Sequence, residues 1–365
     1  MTRVDIVVPS YNYAHLLPEC LESLFGQEGV EVRALVLDDT STDDTPAVAA
    51  RLRSQYPGLE YRRHERNAGH IATYNEGLLG WATAPYTLLL SADDLLAPGA
   101  LQRAVEPMEQ NADIGMVCGI ALLFETAEHI ARAPKFKNGV QALEPYVQLF
   151  ETGALLRQSV QGNPVSTPTM VVRTELQRAV GGYAHELPHS ADMEMWMRYA
   201  SRGRVAVTRH VQAYKRLHGS NMSKGYFALR DLRERLKAFE FALARDPETF
   251  ARHQMTREHI RRSVAEEALW IASSYCDVDE PAAARESLEF ARETWLPVTR
   301  SSAYRRAALK LRLGPRLATG ARGLASVLGL ASRSQPVTDP RLGPRPGTLQ
   351  GWIPQQSFAS HELTA

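Results

Sequence analysis

Residues Pro85 to Gly99 read PYTLLLSADDLLAPG. A short apolar run, Tyr86 to Leu90, stands between Pro85 and the segment Ser91-Ala92-Asp93-Asp94. Its length and composition predict a buried strand. In an open α/β sheet, ligands bind just beyond the carboxyl ends of the strands, which is where the two aspartates fall. Adjacent carboxylates repel each other unless a cation lies between them and a ligand. Hard oxygen donors suit Mg2+ or Mn2+, which is commonly held by one or two carboxylates plus substrate phosphates. The competing reading is a polar loop whose aspartates cap the helix starting near Pro98.

Upstream of this stretch the chain alternates between strand and helix patterns. Val4 to Val8 is an apolar run closed by Pro9, Ser10 and Tyr11, and Asn12 to His15 makes a turn. Leu16, Leu17, Cys20, Leu21, Leu24 and Phe25 then recur at helical spacing, ended by Gly26 and Gly29. A second strand, Val32 to Leu37, runs into Asp38-Asp39-Thr40-Ser41-Thr42-Asp43, a polar cluster that reads as a ligand loop with Thr42 or Asp43 as helix N-cap. The helix stops at Pro57-Gly58, Leu59 to Arg63 is a third strand, and Asn67-Ala68-Gly69 turns into a helix over His70 to Thr83. Four strands alternating with three helices in the first ~95 residues predict a parallel sheet with helices on its faces. No Gly-x-Gly-x-x-Gly follows the first strand, which argues against dinucleotide binding.

The ordered segments Val7-Val8-Pro9-Ser10-Tyr11-Asn12, Leu37-Asp38-Asp39-Thr40-Ser41-Thr42-Asp43, Asn67-Ala68-Gly69 and Ser91-Ala92-Asp93-Asp94 resemble the successive motifs of family 2 glycosyltransferases. The resemblance covers residues 3 to about 224. It implies a GT-A fold: a Rossmann-like, mixed but mainly parallel sheet flanked by helices. A nucleotide-sugar-binding half would span 1–97 and an acceptor-binding half 98–224. It further implies inverting transfer of a sugar from a nucleotide diphosphate donor, a UDP-, dTDP- or GDP-sugar, assisted by Mg2+ or Mn2+. Pro9, Ser10, Tyr11, Asn12, Asp38, Asp39, Asn67, Gly69 and Asp93 would then contact the donor, and Asp94 would hold the metal.

After Ala100 the pattern changes. Ile114 to Phe124 is a long apolar strand, Glu125 to Val140 a loop, Pro145 to Arg157 a helix, Pro168 to Val172 a strand and Arg173 to Val180 a short helix. In Ser190 to Arg198, the residues Asp192, Met195, Trp196 and Tyr199 share a helical face. The family carries an acidic-Asp-x-x-x-Trp-x-Arg pattern that Asp192, Trp196 and Arg198 match; Ala191 stands where Glu is usual, which leaves Glu194 as the alternative acid. By that resemblance Asp192 is the catalytic base. Taken by itself, it is an acidic residue in a first helical turn, where the dipole favours it. Tyr214 to His218 resembles a Tyr-Arg-x-His tail that closes over the diphosphate, so His218 would meet metal or phosphate.

Beyond Lys224 the resemblance fades. Helices are expected around Leu229 to Leu243, Glu258 to Tyr275 and Pro281 to Thr294, forming a helical appendage over 225–333. Within it, 300–333 holds eight basic residues and no acidic one, a pattern suited either to a solvated helix or to peripheral contact with an anionic membrane. The Pro-, Gly-, Gln- and Ser-rich stretch 334–365 reads as a disordered tail.

Composition bounds the functional classes. The chain has 365 residues, 44% hydrophobic and 23% charged, with a net charge of +1. That is ordinary globular composition, and no global field selects nucleic acid. Cys20, Cys118 and Cys276 are too scattered for a metal cluster and read as reduced, buried thiols of a cytoplasmic protein. Met1 to Pro9 lacks the pattern of a secretory leader, and no apolar run reaches the ~20 residues of a membrane span. The acceptor would be a hydroxyl on a glycan, a lipid-linked intermediate or a natural-product aglycone. The alternative class is a non-catalytic nucleotide-sugar or glycan-binding module, to which Ala191 points. A nucleotidyltransferase would want a Gly-rich basic loop after the first strand, and Pro9 to His15 has none.

Overall fold

A computed structural model describes residues 1–131, 147–222, 226–313 and 348–351. The chain divides into two compact units. The first comprises Met1–Ser159, Asn163–His218 and, of the described C-terminal residues, 348–351. It is built on one ten-stranded mixed sheet flanked by helices. The strands are β1 (Thr2–Ser10), β2 (Val30–Asp38), β3 (Leu59–Arg63), β4 (Tyr86–Leu89), β5 (Leu95–Leu96), β6 (Ile114–Phe124), β7 (Val147–Phe150), β8 (Val171–Arg173), β9 (Arg204–Arg216) and β10 (Leu349–Gln350). Their order is β3-β2-β1-β4-β8-β6-β9-β5, with β10 on β6 and β7 on β9. The first four strands are parallel, as the alternating pattern predicts, and β8 turns the sheet antiparallel against β4.

Helices α1 (Leu17–Phe25), α2 (Thr45–Gln55), α3 (His70–Asn75) and α4 (Ala100–Gln110) connect the first half. The core is formed where Leu17, Leu21 and Leu24 of α1 and Leu101, Ala104 and Met108 of α4 cover Val4, Ile6, Val8, Val36 and Leu88. The helix expected from His70 to Thr83 instead changes pitch: α3 ends at Asn75, and Glu76–Trp81 is a π-helix. Gly77 explains why the backbone can come so close there, since a Cβ would overlap the Val7 methyls. Short helices α5 (Ala127–Ala131), α6 (Ala154–Ser159) and α7 (Thr174–Val180) precede α8 (Ala191–Arg202).

Three expectations are corrected. The helix over Pro145 to Arg157 is the strand β7, which pairs with β9, followed by α6 from Ala154; the Val147 to Phe150 run finds its ladder only in tertiary context. The strand expected from Pro168 begins at Val171, because Thr167–Thr169 form a 3-10 turn. Residues 348–351 fall in the stretch expected as a tail, yet Leu349 and Gln350 pair with Leu122 and Ala121 of β6. The remainder of 334–365, residues 314–333 of the basic segment, residues 132–140 of the expected 125–140 loop and the 224/225 boundary lie outside the described residues.

The second unit holds Val160–Gly162 and, among the described residues, 219–222 and 226–313. Its helices are α9 (Ala228–Arg245), α10 (Pro247–Arg252), α11 (Arg257–Asp277) and α12 (Pro281–Thr294), and 302–313 is helical too. Asp246 caps α10 through the Thr249 amide, and Thr256 caps α11 through the His259 amide. The buried Arg235 of α9 pairs with Asp231 one turn back and with Glu267 of α11.

One ion pair, buried at Asp5 and partly exposed at Arg33, ties the parallel strands together. Asp5 of β1 is fully buried and accepts two hydrogen bonds from Arg33 of β2, at 2.9 and 2.6 Å. It also accepts from the amides of Thr83 and Ala84, which lead into β4. Burial alone would raise its pKa, but Arg33 and the two amides outweigh it and hold the carboxyl below its ordinary value. Losing Asp5 leaves the buried Ala84 amide without its acceptor and Arg33 with Glu60 at 4.0 Å, at a cost of about 1–3 kcal/mol. Asp5→Ala is therefore expected to lose about that much unfolding free energy in urea titrations. A loss under about 1 kcal/mol would contradict this role.

Candidate functional site

The carboxyl ends of β1, β2 and β4 converge on one edge of the first unit. Three loops meet there, and hydrogen bonds join them directly. The Asp39 amide donates to the Ser10 carbonyl at 2.9 Å, and the Ala92 amide to the Pro9 carbonyl at 3.3 Å. Asn12 adopts a left-handed backbone, φ 60°, which aims its side chain back at the second loop. There its Oδ1 accepts from the Thr42 amide, while the Asn12 amide donates to Ser41 Oγ. Thr40 is also left-handed, at φ 69°. The cap expected of Thr42 or Asp43 is shifted: α2 begins at Thr45 behind Asp44, and Asp43 instead accepts from the Ala14 and Thr45 amides.

The two aspartates of the second loop have different surroundings. Asp38 is fully buried; one oxygen accepts from the Ser41 amide and the other from the Tyr61 hydroxyl. It shapes the loop from inside. Asp39 accepts from the amides of Ala68 and Gly69 and meets His64 Nδ1 at 2.8 Å. The Asn67 side chain donates to the Asp39 carbonyl, and Gly69, at φ 81°, opens α3. The turn Asn67 to Gly69 is thus fastened to Asp39. Tyr11 is 48% exposed at the rim, with its ring available for stacking.

Asp93 and Asp94 follow β4 and are only 7% and 6% exposed. They do not cap α4, whose N-cap is Gly99. They are held by the far end of β9. The Arg216 amide donates to Asp94 Oδ1 at 2.9 Å, and the Arg216 guanidinium donates to the Asp93 carbonyl and to Glu19. His218 Nε2 lies 2.9 Å from Asp93 Oδ2. Burial, then the neighbouring Asp93 charge, pushes the Asp94 carboxyl well above its usual range. Tyr13 lies edge-on to His218, and burial together with both carboxylates raises its hydroxyl pKa.

Asp192 lies in the first turn of α8. Its Oδ2 accepts from the Asn163 amide group at 3.0 Å and from Thr167 Oγ1 at 3.3 Å, and its Oδ1 from the Met193 amide at 2.6 Å. Burial raises its pKa against these donors. Burial, and after it the Asp93 and Asp192 charges, push the Tyr74 hydroxyl pKa up. Glu194 is fully buried on another side of the helix, where it takes two hydrogen bonds from Arg198; Arg198 also donates to the Val180 and Gly182 carbonyls. Glu194 therefore fastens the loop before α8. That loop, Gly182 to His189, is also anchored on α3, through Asn75 with Tyr183 and His70 with the Pro188 carbonyl.

Several participants escape a linear reading. Arg216, Asn163, Thr167, Lys215 and His64 lie far in sequence from the carboxylates they serve. Only the Lys215-Arg216 pair beside His218 offered a local signal. The three cysteines are buried and free. Among the described residues, no cluster of three or more His, Cys, Asp or Glu side chains is arranged to hold a metal, and no helix is long and apolar enough to cross a membrane. The adjacent Asp93 and Asp94 carboxylates nonetheless fit a hard divalent ion that takes its remaining ligands from phosphate and water.

Comparison with known proteins bears on the same segments. A family profile described as Glycosyl transferase family 2 matches residues 5–170. An uncharacterized protein of Mycobacterium tuberculosis is 27% identical over 222 residues, 58% of this chain and 66% of that protein. The succinoglycan biosynthesis protein ExoO of Rhizobium meliloti is 31% identical over 140 residues, 36% of this chain and 39% of that protein. The chain thus spans less than two thirds of either relative. Among solved structures, S. aureus TarS 1-349 in complex with UDP-GlcNAc superposes with a TM-score of 0.54 at 17% identity, covering 93% of this chain and 95% of that one. Mannosyltransferase PcManGT from Pyrobaculum calidifontis, in complex with GDP-Man and Mn2+, gives 0.51 at 18% identity over 85% and 84%. At these identities the shared property is the GT-A fold.

His64 yields a prediction of its own. Burial would lower its pKa, but the hydrogen bond to Asp39 and the Glu76 charge raise it above 6.5. A raised histidine stabilises the fold fully below its unfolded pKa, and that contribution is lost as pH rises through the folded value. The melting temperature of the wild type should exceed that of His64→Gln at pH 5.5, with the gap narrowing by pH 8.5. A gap independent of pH would contradict this.

Proposed function

Residues 5–170 belong to glycosyl transferase family 2, and from that premise we propose that this chain transfers a sugar, with inversion, from a nucleotide diphosphate donor to an acceptor hydroxyl. The observation that carries the reading is the pair of buried carboxylates, Asp93 and Asp94, held by His218 and Arg216 at the strand-end edge where the β1 and β2 loops also meet. A donor has phosphates for that pair, and an acceptor has a proton for the Asp192 carboxylate.

In this reading Tyr11 stacks on the base of a UDP-, dTDP- or GDP-sugar, and the Pro9 to Asn12 and Asp39 loops shape the nucleotide cleft. Asp38 and the Asn67 to Gly69 turn support that shape. Asp94, with Asp93 and His218 beside it, would hold Mg2+ or Mn2+ against the diphosphate. Bound there, the ion would neutralise the charge on the leaving group. PcManGT with GDP-Man and Mn2+ supports the pairing of donor and ion on this fold. Asp192 accepts the acceptor's hydroxyl proton as the oxygen attacks the anomeric carbon. The bond from that carbon to the diphosphate oxygen breaks, and its electron pair leaves with the diphosphate. Attack opposite the leaving group inverts the centre, so no enzyme nucleophile is required. The raised pKa of Asp192 suits a base, because it brings the carboxylate's proton affinity closer to neutrality.

The acceptor is proposed as a glycan, a lipid-linked intermediate or an aglycone, met at the Gly182 to His189 loop. A cytoplasmic site with peripheral contact to an anionic membrane is part of the proposal, supported by the eight basic and no acidic residues of 300–333. The non-catalytic alternative predicts nucleotide-sugar binding without turnover.

Two experiments follow. Asp192→Asn should keep donor binding and melting temperature while lowering the transfer rate by roughly 10²–10⁴-fold, the range for a lost general base. Glu194→Gln should mainly lower the melting temperature. The reverse pattern would give the base role to Glu194. Separately, titration calorimetry of UDP and GDP should show Mn2+-dependent affinity that EDTA removes in the wild type and that Asp94→Asn lacks. Affinity untouched by EDTA would remove the metal from the mechanism.

A further inference from the structure

The C-terminal strand ends beside the groups just described. Strand β6 gives one edge to β9 and divides the other between β8, at Met116 and Val117, and β10, at Ala121 and Leu122. The Leu123 amide donates to the Thr348 carbonyl at 2.9 Å, so the segment is fastened just ahead of its two paired residues. Gly351 follows with φ 138°, and a Cβ there would lie 2.7 Å from the Gly119 carbonyl oxygen. Only glycine passes at that distance without moving the backbone. Docking of this segment is therefore specific, not an incidental covering of an open edge.

Docking carries Gln350 into the site. Its Oε1 lies 3.5 Å from Lys215 Nζ and accepts from Ser166 Oγ at 3.4 Å. Each partner adjoins a residue that holds a carboxylate: Lys215 precedes Arg216, whose amide donates to Asp94, and Ser166 precedes Thr167, whose hydroxyl donates to Asp192. Burial pushes the Asp94 and Asp192 carboxyls up, and among the opposing influences the Lys215 charge acts on both. By geometry, Lys215 adjoins the Arg216 that holds Asp94 and, through Gln350 and Ser166, the Thr167 that donates to Asp192. A long, flexible lysine keeps such a position only when something fixes its end.

We propose that Thr348 to Gly351 is a working part of the transfer site, with Gln350 fixing the Lys215 ammonium as a cation for the donor's diphosphate. Lys215 meets the phosphate oxygens, and Gln350 is a positioning residue that acts through it. This rests on the donor reading of the preceding subsection. It also makes a segment about 130 residues downstream of Lys215 a requirement for donor binding.

The test is a double-mutant cycle on the full chain, read as UDP and GDP affinity with Mn2+ by calorimetry, with melting temperatures recorded alongside. Lys215→Met should weaken nucleotide diphosphate binding by about tenfold or more, the usual scale of a charged hydrogen bond. Lys215→Arg should retain most of the affinity. Gln350→Leu should weaken binding to a smaller extent, and the Lys215→Met/Gln350→Leu double variant should bind no worse than Lys215→Met alone. Gly351→Val, which cannot dock, should reproduce Gln350→Leu. Additive losses, or full affinity in Lys215→Met, would overturn the inference while leaving the donor site intact. If the wild type binds neither UDP nor GDP, the donor reading itself fails and takes this inference with it.

Discussion

Two carboxylates on adjacent residues, both withdrawn from water, form the constraint on which the first unit depends. Burial, then the neighbouring Asp93 charge, both disfavour the ionised form of Asp94. Asp93 and Asp94 are kept in place because β9 runs thirteen residues to reach them. Arg216 donates from both backbone and side chain, and His218 closes the cluster. The length of β9, the antiparallel insertion of β8 and the seating of β5 all serve to bring that strand end to the end of β4. A pair under this tension is well suited to a ligand that brings a cation and a diphosphate together.

The loops proposed to hold the nucleotide hold one another. Asn12 and Asp43 use their side chains on backbone amides of neighbouring loops, and Asp38 uses its own on the Ser41 amide within its loop. Asp39 does the same for the turn into α3. This arrangement satisfies polar groups that would otherwise be stranded at strand ends, and it keeps the cleft shaped before any ligand arrives. Pre-organised loops lose less conformational freedom on binding.

In the parallel half of the sheet, β1, β2 and β4 were legible as short apolar runs that lead into proline, serine or aspartate, and β3 was read from its place after the Pro57-Gly58 stop. Ile114 to Phe124 and Pro281 to Thr294 were legible for the same reason, a clean pattern between clear stops. The elements that escaped are those whose residues are chosen for the site or for a distant partner. Strand β9 was legible at its start, near Arg204 to Val207, but Arg209, His210, Gln212, Lys215 and Arg216 mask the period of two over the rest of it. Strand β7 has only four residues and takes its conformation from β9. The π-helix follows from the approach of Gly77 to Val7, and β10 is a two-residue strand in a proline- and glycine-rich context. At the site, the motif residues were visible as motifs. That Asp38 is held inside its loop depends partly on Tyr61, and that Glu194 is tied up depends on Arg198 anchoring to the Val180 and Gly182 carbonyls, contacts the motifs do not contain.

The central claim is a single displacement at the anomeric carbon, with Asp192 as base and no covalent intermediate. Proton NMR of the sugar released from UDP-GlcNAc or GDP-mannose in the presence of Mn2+, recorded before mutarotation, tests it directly. Both donors carry an α-linked sugar, so water or a hydroxyl acceptor attacking in one step must first yield the β-anomer. Release of the α-anomer would mean net retention, which a single in-line displacement cannot give, and would contradict this account.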